Sequence, residues 1–310
     1  MFILISNRNY CHMGFLNTAL PRRSAIKSLA AASISTLIGE SLYARISASE
    51  NLIGNKLKGR VNHSVCRWCY QDIPLEDLCK SAQKIGLKSI ELTGPEEWPI
   101  LKKYGLISAM PWGAGLGIEK GFNDPQYHDQ LIKSYEEVIP KAAAAGLDKI
   151  ICFSGNRNGL NDEQGIKNCA SGLKKLMPLA EKYKVTVAME LLNSKVNHKD
   201  YQCDHTSWGA ALVDNVGSDR FSLLYDIYHM QIMEGDVIAT IKQFEKYICH
   251  YHTGGVPGRN EIDETQELNY PAIIKAILDT GYKGYIGQEF IPKRPDKIKS
   301  LEQGVTICDI

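Results

Sequence analysis

The sequence predicts an α/β fold, a closed (β/α)8 TIM barrel over residues 60–310, read as one domain. Three observations predict it. Short apolar runs recur eight times after residue 60, stretches with helical spacing separate them, and one turn phrase repeats at the joins. Apolar strands alternating with amphipathic helices imply a parallel sheet covered by helices. Eight such units in roughly 250 residues match a barrel in size and count.

The apolar runs, in order, are "NHSVCRWCY" (62–70), "KSIELTG" (88–94), "LISAMPW" (106–112) and "DKIICFSGN" (148–156). They continue with "VTVAMELLN" (185–193), "FSLLYDIYHM" (221–230), "YICHYHTGG" (247–255) and "GYIGQEF" (284–290). Helical spacing is plainest in 127–146 and 166–183, and is also seen in 74–86, 205–217, 236–247 and 269–281. "IGLKSIEL", "AGLDKIICF" and "TGYKGYIGQ" each place a glycine after a helix, where a left-handed residue caps it. An open, doubly wound sheet would want a glycine-rich phosphate loop after the first strand, and "CRWCYQDIP" offers none. No linker or low-complexity stretch divides 60–310.

The chain has 310 residues, 44% hydrophobic and 23% charged, ample for one large core, and a net charge of +1. That balance gives no reason to expect a nucleic-acid or acidic-membrane partner. The charge is uneven, however. Residues 1–48 hold Arg8, Arg22, Arg23, Lys27 and Arg45 against Glu40 alone, which leaves the rest slightly acidic. "PRRSAIKSLAAASISTLIG" sets paired arginines before an apolar stretch, Ala25–Gly39, too short for a membrane span. Small-residue sites follow at "SLYA" and "ISA", the pattern of a removable export signal. Arg22-Arg23-x-x-Ile26-Lys27 resembles the twin-arginine motif, with Pro21 and Ala25 departing from its usual flanks. The expectation is a signal over 1–48, a periplasmic destination and no stable membrane insertion. Met13 is an alternative start.

Nine cysteines are scattered through the chain, an odd count that argues against a disulfide framework. Cys66 and Cys69 form an isolated C-x-x-C with no second pair to complete a structural zinc site. It is read as incidental.

The last four apolar runs end in ionisable residues: Glu190, Asp226, His252 and Glu289. Singly, each reads as a helix cap or half an ion pair. Together, on consecutive strands of one barrel, they meet at one mouth, where three carboxylates and an imidazole need a cation. This mixture suits Mn²⁺ or Mg²⁺ best, with Co²⁺ or Zn²⁺ as alternatives. His229, one helical turn past Asp226, is placed on the same site. Of His250 and His252, read as alternating across the strand, His252 is chosen for the mouth. Trp68 and Trp112 are placed as pocket walls or rim packing, Asn193 as an orienter of Glu190, and Glu91 is unassigned.

At these residues the chain resembles the xylose isomerase-like barrel superfamily, and within it the hydroxypyruvate isomerase-like and ketose 3-epimerase-like enzymes. The motifs are "MELLN", "YDIYHMQ", "HTGGVPGRNE", "QELNY" and "GQEF", and the resemblance covers about 60–310. It implies that Glu190, Asp226, His252 and Glu289 hold one metal and that Glu190 and Glu289 are the acid/base pair. It implies that His229 and Arg259 bind substrate oxygens, with Glu261 at a substrate-side position. Histidine at 252 is the epimerase choice where isomerases often carry Gln, whereas "PGRNE…QELNY" looks like the isomerase loop. Leu192 stands where xylose isomerases have a lysine, which argues against a hydride shift.

The chemistry expected is isomerisation of a hydroxy-carbonyl compound. A glutamate removes the proton beside the carbonyl, leaves a cis-enediolate, and a proton returns at the neighbouring carbon. Return to the same carbon from the other glutamate is epimerisation. The partner expected is a small sugar or keto acid, with a homo-oligomer as a further possibility. Two other classes stay open: a non-catalytic carbohydrate-binding protein, and a zinc phosphodiesterase or endonuclease, which would need more histidines and a basic groove.

Overall fold

A computed structural model describes residues 57–310, so the signal expected over 1–48 lies outside the described residues. Seven parallel strands are formed: β1 (Asn62–Cys66), β2 (Ser89–Glu91), β3 (Lys149–Cys152), β4 (Thr186–Glu190), β5 (Phe221–Asp226), β6 (Ile248–Thr253) and β7 (Tyr285–Gln288). Their order is β2-β1-β7-β6-β5-β4-β3, every pair parallel. Each strand is almost wholly buried on both faces, as a sheet lined by side chains inside and covered by helices outside requires.

The third of the eight predicted staves, 106–112, is not a regular strand but still fills the gap between β2 and β3. On one side Ile90 N donates to Ile107 O (3.0 Å), and Leu92 N to Met110 O (2.8 Å). Two steps along β2 therefore face three along the segment, which is a bulge. Ser89 Oγ takes the N–H of Ala109 (2.8 Å), and Pro111 has no N–H to give. On the other side Ile151 N donates to Pro111 O (3.2 Å). The barrel thus closes through an irregular seam.

Among the described residues there are nine α-helices: α1 (Leu75–Ile85), α2 (Trp98–Lys103), α3 (His128–Ala144), α4 (Asp162–Tyr183), α5 (Thr206–Val216), α6 (Ile227–Met233), α7 (Val237–Phe244), α8 (Tyr270–Asp279) and α9 (Lys297–Cys308). The repeated glycine phrase behaves as read, because Gly86, Gly146 and Gly281 all have positive φ, at 98°, 77° and 85°. Helix α4 begins where Asn161 accepts the N–H of Gln164 (2.8 Å), with Asp162 and Glu163 in its first turn. Helices α2, α6 and α9 were not read from the sequence. Helix α6 follows β5 without a turn, inside one continuous apolar run.

Candidate metal and substrate site

The parallel strands all point their C-terminal ends the same way, and the site forms there. Glu190 ends β4, Asp226 ends β5, His252 is the penultimate residue of β6, and Glu289 follows β7. Asp226 and His252 stand opposite each other in the β5–β6 register. One ligand atom from each of the four lies within 4.8 Å of all the others, and all four residues are buried. The four side chains read from the sequence as meeting at one mouth are thus close together. The simpler reading of Asp226 holds too: its Oδ1 accepts the His229 N–H (3.2 Å) and caps α6, which leaves Oδ2 for the cluster.

Arg259 is the local counter-charge. Its Nη2 lies 3.0 Å from Asp226 Oδ2 and 2.7 Å from Glu289 Oε2, and its Nε donates to the Glu289 carbonyl (3.1 Å). The backbone there is left-handed (φ 58°), and the guanidinium lies between the rings of Trp68 and Tyr228, 5.1 and 5.3 Å from their centroids. Trp68 Nε1 donates to Glu289 Oε1 (2.7 Å). One guanidinium against three carboxylates leaves negative charge over. Burial, then repulsion from Glu289, raises the Glu190 carboxyl above its usual range. Burial also raises Asp226, to about 8, although Arg259 opposes it. Glu289 would likewise be raised by burial, but Arg259 and His252 outweigh that and hold it well below the usual range.

The donor set fits a divalent cation. Glu190 Oε1, Glu289 Oε2 and His252 Nδ1 are buried, and none has a hydrogen-bond partner of good geometry. The short separations among them, 2.6 Å for His252 Nδ1 to Glu289 Oε2 and 3.4 Å to Glu190 Oε1, are charge contacts without hydrogen-bond alignment. Lone pairs from two carboxylates and a ring nitrogen therefore converge on one space.

The histidines differ from expectation. His250 and His252 do not alternate across the sheet: residues two apart on a strand share a face, and Tyr251 takes the other. Both rings are fully buried, edge to face at 5.2 Å, with His250 one layer deeper beside Glu91. His229 is held by Asn193, whose backbone N–H donates to Nδ1 (3.1 Å) and whose amide nitrogen lies 2.6 Å from it. With Nδ1 accepting, the proton sits on Nε2, which is buried, has no hydrogen-bond partner, and lies 3.6 Å from Asp226 Oδ2. Burial, reinforced by Arg259, lowers the His229 pKa well below its usual value, so the ring is a neutral donor. Asn193 thus orients His229 rather than Glu190.

A cavity of about 490 Å³ opens onto the cluster. Trp68, Trp112 and Phe153 wall it, and Glu190, Arg259 and Glu289 lie at its polar end. Leu192 lines it as well, and among the described residues no lysine does. His198 also faces it, 5.3 Å from the His229 ring, and was missed because a polar loop such as "KVNHKD" (195–200) carries no periodicity. Glu261 is not brought to the cluster. Its Oε1 accepts from Lys293 N (2.9 Å), Arg294 N (2.9 Å) and Ser300 Oγ (3.0 Å), fastening the loop after β6 to the approach to α9.

The family model described as xylose isomerase-like TIM barrel matches residues 79–306. The chain belongs to the xylose isomerase-like TIM barrel family. Among relatives, it is similar to the hydroxypyruvate isomerase of Escherichia coli (strain K12), 29% identical over 231 residues, covering 69% of this chain and 86% of that one. It is 26% identical over 239 residues to the putative hydroxypyruvate isomerase of Homo sapiens, covering 76% and 80%. Its fold matches a crystal structure of AP endonuclease, family 2, from Brucella melitensis, with a TM-score of 0.70, 22% identity, and 79% and 97% of the two chains covered.

Within this xylose isomerase-like barrel the arrangement separates two layers. Asp226 and His252 lie beneath, while Glu190 and Glu289 both belong to the cluster and line the cavity.

Proposed function

We infer that this isomerase-type enzyme rearranges an α-hydroxy carbonyl compound, a hydroxy keto acid or a free ketose, by proton transfer at a carbon beside the carbonyl. The observation that carries the reading is the double placement of Glu190 and Glu289, in the cation cluster and on the cavity wall. Glu190, Asp226, His252 and Glu289 would hold one divalent ion, Mn²⁺ or Mg²⁺ by the oxygen-rich donor set. When bound, such an ion acts as a Lewis acid that polarises a carbonyl and stabilises the charge left by proton removal.

The chain's own residues supply the rest. Glu289, kept ionised by Arg259 and His252, is suited to take a proton from the substrate carbon. Glu190, whose carboxyl is raised by burial and has an unpartnered oxygen, is suited to carry one. The unpartnered Nε2–H of His229, beside Asp226, would be the donor to a substrate oxygen. Arg259, clamped between Trp68 and Tyr228, offers fixed charge to a carboxylate or hydroxyl. The aromatic walls exclude water around the carbanion-like intermediate.

Return of the proton to the adjacent carbon is isomerisation, the reaction in the names of the curated relatives. The presence of two cavity-facing carboxylates also favours a second reading, epimerisation at one carbon. Proton NMR in deuterated water with Mn²⁺ tests both. Deuterium should enter the α-position of hydroxypyruvate or a ketose, and a shift of the carbonyl to the neighbouring carbon or an inversion of configuration decides between them. Absence of exchange across such a panel would refute the inference.

A further inference from the structure

Glu91 has no part in the chemistry above, yet it is a fully buried carboxylate in the barrel interior. It ends β2, and its Oε2 lies 2.6 Å from His250 Nε2 and 3.6 Å from His252 Nε2. Space is kept for it by Gly287 on β7, where a Cβ would stand 2.2 Å from Glu91 Oε1 and 2.9 Å from His252 Cδ2. A buried ion is costly, and an apolar side chain of the same volume would serve packing as well or better. The carboxylate calls for another explanation.

We propose that Glu91 is a positioning residue that holds His252 from behind, so that Nδ1 faces Glu190, Asp226 and Glu289 as a ligand. This rests on the cation-site reading above. A neutral imidazole offers one lone pair and one N–H, and the cluster needs the lone pair. Nδ1 is the nitrogen aimed at the cluster, 2.6 Å from Glu289 Oε2 and 3.4 Å from Glu190 Oε1. The proton then belongs on Nε2, whose polar neighbours are Glu91 Oε2 and, at 3.7 Å, Cys66 Sγ. A carboxylate is much the stronger acceptor of the two. At 3.6 Å the pair is within ion-pair range and just beyond hydrogen-bond length. His250 Nε2 lies 2.6 Å from the same Glu91 oxygen, with its ring edge-on to that of His252. A carboxylate behind a ligating histidine fixes the tautomer and raises its basicity, and losing one weakens metal binding by about 10–100-fold.

The test is Mn²⁺ titration calorimetry on full-length wild type, Glu91→Gln, His252→Gln and the double variant. Glu91→Gln should weaken Mn²⁺ binding about 10–100-fold while the metal-free protein keeps its melting temperature. In the His252→Gln background there is no ring to orient, so adding Glu91→Gln should cost little more. Equal losses in both backgrounds, or unchanged affinity in a folded Glu91→Gln protein, would overturn the proposal. Should Glu91→Gln fail to fold, Glu91→Asp, which withdraws the charge from the ring, replaces it in the same cycle with the same two criteria. Wild type without Mn²⁺ affinity would instead remove the cation site itself, an outcome distinct from a failure of Glu91 to act on it.

Discussion

At the scale of the residue, the site is a set of charges whose burial is compensated only in part. Glu190→Gln keeps the side-chain volume and removes the proton carrier, so solvent exchange of the substrate α-proton should fall about 10²–10⁴-fold, read by NMR under saturating Mn²⁺. A loss of less than tenfold would leave Glu190 without that role. The titration behaviour gives a second prediction. Asp226, ordinarily near 3.8, is raised to about 8 by burial, and His252 is raised well above 6.5 because its acidic neighbours outweigh burial. Both hold extra protons in the folded metal-free protein. Their stabilisation is present below the unfolded values and is lost as pH rises through the folded ones, so the metal-free protein should melt lower at pH 8 than at pH 6. A divalent ion must displace those protons, so Mn²⁺ should bind more tightly, and restore the melting temperature more fully, as pH rises over the same window. Calorimetry in two buffers of different ionisation enthalpy would count the protons released. The four clustered residues were legible because strand ends and their spacing are written in the sequence. Glu91 and His250 were not, because their meaning depends on which residues share the inside of a closed sheet. Glu261 shows the converse: it sits in a motif beside Arg259, and only the folded loop reveals that its carboxylate fastens backbone.

At the scale of the element, most helices and seven strands follow from periodicity and from the glycines that end helices. The misses have physical causes. The run 221–230 is mostly apolar on both sides of Asp226, yet it changes there from strand to helix, where a side-chain cap replaces a turn. The run 106–112 has a strand's composition, but Pro111 and the Ser89 side chain disrupt its ladder. The rim of the cavity depends on a close backbone contact of a similar kind. Loop 119–123 pairs with 153–156, through Phe122 N to Phe153 O (3.3 Å), Asn123 N to Ser154 O (2.8 Å) and Asn156 N to Glu119 O (3.0 Å). A Cβ on Gly121 would lie 2.2 Å from Gly155 N and from Ser154 C, with only backbone to give way. Gly121→Ala should therefore destabilise the barrel by about 1–3 kcal/mol and raise KM through the displaced rim residues Ile118 and Trp112. Thermal unfolding and steady-state kinetics would check the two effects, and a variant with wild-type melting and KM would show that the contact relaxes freely.

At the scale of the whole molecule, the barrel and the segment before it raise separate questions. The described residues fall within one compact unit, Lys56–Ile310, and no described helix is long and apolar enough to cross a membrane. We propose that residues 1–48 direct export by the twin-arginine route. Replacing Arg22 and Arg23 together by Lys should then retain the protein in the cytoplasm of its host, as cell fractionation would show; undiminished export would rule the route out. The scattered cysteines among the described residues are all free thiols, so the fold has no need of oxidation on either side of a membrane. The indole of Trp68 has a further consequence. Because it donates to Glu289 and lies against Arg259, its emission is tied to whatever joins the carboxylates. Paramagnetic Mn²⁺ arriving there should quench that fluorescence, giving an unlabelled optical readout of occupancy that Trp68→Phe would diminish.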